Sequence, residues 1–155
     1  MGILLKLFVF ISCCVYVYTV LNFTEHLFGR KKNVSFRLVY IVCSGVLSIF
    51  SILSLNTLQI PFLYIIGWVI GFIPYHYLMN GPFQAHLLLA GSAIYDTLAF
   101  RGISLSIISL VRSDSLYNTF HNETLSMLSL GLTFVGTSLF WYFGNCKMYD
   151  FNHLS

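Results

Sequence analysis

Asp96 and Arg101 are ionisable residues inside an otherwise apolar run that extends over residues 83–111. A charge at membrane depth costs at least a few kcal/mol on insertion scales, so such a residue marks a ligand, ion or signal-transmission site by default. Five positions on a helix place two side chains about 140° apart around the axis, so the pair does not stack as i, i+4 partners do. Each is expected to find a polar partner on a neighbouring helix. With Tyr95 they form the candidate ligand-binding or gating set. The plainer alternative is that Arg101 snorkels toward the interface and Asp96 is a protonated, hydrogen-bonded packing residue. Gly91-Ser92-Ala93 just upstream is small enough to let another helix approach closely. Gly102, and Pro74 in the preceding run, are the hinge candidates.

His76 and His86 flank the turn Asn80-Gly81-Pro82, ten residues apart. Paired in space, two imidazoles bind a metal or sense pH. No third ligand converges in the sequence, so the expectation is interfacial histidines and no metal. Cys13, Cys14, Cys43 and Cys146 form no C-x-x-C and have no histidine at zinc-finger spacing. Three of them fall in apolar runs, where cysteine behaves as a small hydrophobe. A vicinal pair such as Cys13-Cys14 is poorly shaped for a disulfide. No phosphate-binding glycine loop, H-E-x-x-H or G-x-S-x-G occurs, so neither an enzyme nor a cofactor is expected. Sequons at Asn22, Asn33 and Asn122 match what chance supplies in a chain rich in Ser and Thr.

The elements that position these residues follow from composition. The chain is 57% hydrophobic and 8% charged, with mean hydropathy +0.82. A soluble domain carries about 25% charged residues, so this one cannot coat itself for water. Continuous apolar runs of about 18 or more residues are long enough to cross a bilayer as helices. Backbone groups in lipid must be paired within the segment, and the runs do not alternate as barrel strands do, so helices follow. The expected fold is an all-α, polytopic transmembrane bundle forming one integral membrane domain over residues 1–155. Its five spans lie at about 3–21, 37–55, 58–79, 83–111 and 125–143. The first lacks a small-x-small cleavage site and is expected to remain uncleaved. The fourth is long for an upright crossing; it must tilt, protrude, or break near Gly102, and a break makes the count six.

Orientation rests on basic residues in short loops. Arg30, Lys31, Lys32 and Arg37 fall in the loop after the first span, four of the eight Lys and Arg. With five spans that loop shares a side with Lys147, and that side is expected to be cytoplasmic, leaving the N-terminus outside and the C-terminus inside. So local a cluster fits anionic lipid and gives no nucleic-acid footprint. The expected partners are the bilayer, a peptide or small-molecule ligand, and either a second copy or other membrane subunits. A transporter or channel subunit and a structural subunit of a membrane complex are the competing readings; a transporter calls for inverted repeats, and the sequence has none.

The order of features resembles the membrane sensor region of the peptide-pheromone receptor histidine kinases with GHKL-type ATPase domains. The residues that carry the resemblance are the basic loop Gly29-Arg30-Lys31-Lys32, the turn His76-Tyr77-Leu78-Met79-Asn80-Gly81 and the carboxylate in Ala93-Ile94-Tyr95-Asp96. It covers roughly residues 1–147. Where that family usually has Lys or Arg after the third span, this chain reads Gly-Pro-Phe-Gln-Ala-His. No phosphoacceptor helix or nucleotide-binding domain follows. The resemblance therefore implies a stand-alone or truncated sensor in a bacterial cell membrane, engaged in signal transduction of the quorum-sensing kind. It would bind and gate without phosphorylating.

Overall fold

A computed structural model describes residues 2–29, 35–56 and 62–154. The described elements are six helices: α1 (Gly2–Phe28), α2 (Phe36–Asn56), α3 (Phe62–Leu78), α4 (Phe83–Arg112), α5 (Leu116–His121) and α6 (Glu123–Leu154). There is no β-strand among the described residues. α1 lies chiefly against α6, α2 against α3, and α4 against α6, with further contact between α1 and α2.

Among the described residues, three helical segments are long and apolar enough to cross a membrane: Gly2–Phe28, Phe83–Arg112 and Glu123–Gly144. They contain the first, fourth and fifth expected spans. α2 offers a shorter apolar stretch, Phe36–Ile49, within the described side chains. α3 is 17 residues long, slightly short of a full crossing at 1.5 Å per residue. Part of the expected third span, residues 58–61, lies outside the described residues. Three of the five expected spans thus meet the length and hydropathy that a crossing requires.

The six-span alternative is corrected. α4 runs unbroken for 30 residues through Arg101 and Gly102. A glycine weakens a helix by only about 1 kcal/mol, whereas a break in lipid would strand several backbone groups at several kcal/mol each. α3 likewise continues through Pro74 to Leu78. α5, in the segment expected to be a plain loop, is a further departure. Ser115 begins it, accepting the Asn118 backbone N–H at 3.1 Å, as a good N-cap does.

The helices are apolar all round, so what faces inward is distinguished by size and hydroxyl content. The buried stripe of α1 is Val9, Ser12, Cys13, Tyr16, Val17, Val20, Leu21 and Thr24, a spacing of three and four that marks one helical face. α6 turns Ser126, Ser129, Thr133, Thr137 and Ser138 inward. Leu88, Leu110 and Val111 on α4 point outward at 76–80% exposure. Large apolar residues outside and small hydroxyls inside invert the pattern of a protein folded in water, and suit helix packing in lipid.

Most of those hydroxyls are satisfied locally, Ser129 Oγ being an exception with no partner among the described residues. Thr133 and Thr137 donate to the carbonyls of Ser129 and Thr133, both at 2.7 Å. Ser12 donates to Phe8 O at 2.7 Å. Where α6 has Gly131, the ring of Phe8 occupies the space a Cβ would fill, so α1 and α6 meet with aromatic ring against bare backbone.

Candidate functional site

Tyr16 stands where four helices converge, and it is fully buried. Its ring packs edge-on against Trp68 of α3 at 6.0 Å and tilted against Phe134 of α6 at 5.5 Å. Its hydroxyl is 3.2 Å from Thr97 Oγ1 on α4. Thr97 already donates to Ala93 O at 2.6 Å, so Tyr16 is the donor of the pair. This bond joins α1 to α4 through the apolar interior.

Beside Tyr16 lies a partly open cavity of about 70 Å³ lined by α1, α2, α3 and α4. One water needs roughly 10–15 Å³, so the space exceeds a single solvent molecule several-fold. Its walls are apolar and include Leu47, Trp68, Phe72, Tyr75 and Ala93. Tyr75 is 8% exposed, and its hydroxyl makes no hydrogen bond among the described residues. An apolar pocket with a few buried polar groups on its walls matches the usual form of a small-molecule site.

At one end of the cavity are two histidines. His86 is fully buried. Its Nδ1 is 2.8 Å from Nδ1 of His76, and its Nε2 is 2.9 Å from Asn80 O. Aromatic rings surround the pair. Phe72 stacks on His76 at an interplanar angle of 9°, and Phe83 meets it edge-on at 5.1 Å. Phe28 and Tyr75 meet His86 edge-on at 4.9 and 5.2 Å. Gly81 makes this closeness possible: its φ is +125°, and a Cβ there would lie 2.9 Å from His86 Nε2 and 3.0 Å from Phe28. The Asn80 N–H donates to Gly29 O at 3.0 Å, tying the turn to the end of α1.

The sequence-expected set is distributed differently. Tyr95 points away from the bundle at 73% exposure. Asp96 is half-buried on α4, and it has no hydrogen bond or ion pair among the described residues. Arg101 Nη2 donates to Ser126 Oγ on α6 at 3.1 Å, the expected cross-helix partner. The unbroken α4 keeps these three side chains on separate faces, and none lines the cavity. Gly102 is exposed on that helix. Pro74 lies within continuous α3, and its side chain is outside the described ones. Arg37 is exposed near the start of α2, while Arg30, Lys31 and Lys32 lie outside the described residues. Cys13, Cys14 and Cys43 are free thiols.

Sequence reasoning paired His76 with His86 as a possibility and missed Tyr16, Thr97 and Tyr75. Each of the three sits in a run where any residue could face lipid. The available signal was the three-and-four spacing of small and hydroxyl residues on α1, on which Tyr16 falls. No group of three metal-capable side chains forms among the described residues. Compared with family models, curated proteins and solved structures, the chain matches none.

Proposed function

We propose that this chain is a five-span, receptor-like membrane module that admits a small apolar molecule to the cavity between α1 and α4. The apolar cavity, with the unpartnered Tyr75 hydroxyl on its wall, is the observation that carries this reading. A ligand of matching chemistry has an aliphatic body and one hydrogen-bonding group. Its approach is through the bilayer or from the helix ends, and its effect is a preference for one packing of α3 and α4 over another. The basic loop at residues 30–37 supports a cytoplasmic location for that end, with the N-terminus outside. The sensor role suggested by the order of sequence features belongs to the same proposal. The ligand site shifts from Asp96 to the cavity, because Asp96 is not among its walls.

The test uses the full chain in lipid nanodiscs and a photoreactive six-carbon alcohol as probe. Labelling is expected on cavity walls such as Tyr75, Trp68 and Cys43. Excess n-hexanol should compete, and Leu47→Trp should cut labelling at least fivefold by filling the space. Labelling confined to outward residues such as Leu88 and Tyr95, without competition, would sink the reading.

A second reading, a subunit of a larger membrane complex, is favoured by α4. Only 22% of its most apolar 18-residue window is buried, and Gly91, Ser92, Ala99 and Gly102 are all exposed. Co-purification of a fixed set of membrane proteins, lost on Gly102→Leu, would favour it.

A further inference from the structure

We propose that His76 and His86 form a site for a single added proton, a latch that holds the turn between α3 and α4 against the end of α1. The bonding pattern permits only one arrangement of the neutral pair. Asn80 O accepts from His86 Nε2, so that nitrogen carries the hydrogen. The Nδ1 of neutral His86 is then an acceptor, and the hydrogen of the 2.8 Å contact belongs to His76 Nδ1. The two rings are opposite tautomers, and the lone pair left over is on Nε2 of His76.

His76 is half-exposed and His86 fully buried, so the open nitrogen belongs to the more accessible ring. A proton taken from bulk water onto His76 Nε2 leaves every hydrogen bond in place. The resulting imidazolium still donates through Nδ1, and its charge lies among the faces and edges of Phe72 and Phe83. A second proton has only His86 Nδ1 to occupy. That would set two N–H donors against each other at 2.8 Å and two cations with ring centres 5.0 Å apart. The second proton therefore enters only as the pair opens.

The groups facing the dyad leave this logic intact. From α1 comes Phe28, which is uncharged. From α3 comes Tyr75. From the turn come Asn80 and Gly81. Between Phe83 and Ile94, α4 bears no other titratable side chain. Opening the pair frees the turn from His86 and moves Phe72 and Tyr75, which also wall the cavity. That last link rests on the cavity reading above; the proton site itself does not.

The experiment is histidine-selective ¹⁵N spectroscopy of the full chain in nanodiscs, titrated from about pH 8 downward. At the alkaline end we expect one ring protonated at Nδ1 and the other at Nε2, with an N–H···N coupling between them. One proton should enter with the coupling retained, and the coupling should vanish on the second. His76→Phe keeps ring packing and removes the donor; there the remaining ring should take up its proton in one ordinary step. His76→Gln serves as a second variant if the first misfolds. Two Nε2-protonated rings that titrate independently would overturn the proposal. The photoreactive alcohol separates the two ideas: labelling that drops at least threefold as the coupling vanishes supports the link. Labelling absent at every pH removes the cavity reading alone. Labelling indifferent to the opening removes the link to the cavity.

Discussion

Asp114 shows how one side chain organises the segment between α4 and α6. Its carboxylate accepts the Ser115 N–H at 2.8 Å and the Asn118 Nδ2 at 3.0 Å. The Asn118 amide, then the Ser115 N–H, hold the carboxyl below its usual range. A depressed pKa contributes stability that is present above the unfolded value and lost as pH falls through the folded one. Amide protection across residues 115–121, corrected for the intrinsic exchange rate at each pH, should therefore be constant from neutrality down to about pH 4 and fall below it. Asp114→Asn should flatten that dependence. Protection that starts to fall well above that range would show that the Asp114 carboxylate is not the controlling group.

At the scale of the element, the end of α4 carries a local strain with a simple remedy. Ser113 adopts φ 53°, the left-handed region that costs a side-chain-bearing residue roughly 1 kcal/mol. It is held there by two reciprocal bonds, Ser113 N–H to Leu110 O at 3.2 Å and Asp114 N–H to Ser109 O at 3.0 Å. Such a helix end normally takes glycine. Ser113→Gly should raise stability by about 0.5–1 kcal/mol in reversible unfolding from mixed micelles. A loss of stability would mean that the serine hydroxyl has a role its surroundings do not reveal.

The whole bundle turns on the fit between α1 and α6. Gly131→Ala would place a methyl into the ring of Phe8, and overpacking of this kind costs roughly 1–3 kcal/mol. Adding Phe8→Ala should recover at least half of that loss. Independent, additive losses would show that the two residues do not share one contact. The sequence discloses this molecule unevenly, and for a physical reason. Hydropathy marks where helices run, because lipid demands apolar length: α4 matches its expected ends, and α1 and α6 start near theirs but run on by seven and eleven residues, to Phe28 and Leu154. Which face turns inward is hidden, since Leu, Ile and Phe surround each rod and the inner face is set by serine, threonine and glycine. Gly102 looked like a breaking point, yet lipid penalises a break far more than it penalises a glycine. Asp96 and Arg101 drew attention as charges, while the interior junction uses the neutral hydroxyls of Tyr16 and Thr97. The two histidines were visible as flanks of one turn; only the positive φ of Gly81 brings them into contact.

Most of the inward serines and threonines bond to carbonyls three or four residues earlier on their own helix. Each helix therefore satisfies most of its own hydroxyls, while Tyr16–Thr97 and Arg101–Ser126 bond across helices. Helices of this kind can enter a bilayer one at a time and meet laterally afterwards, with shape left as the arbiter of who pairs with whom.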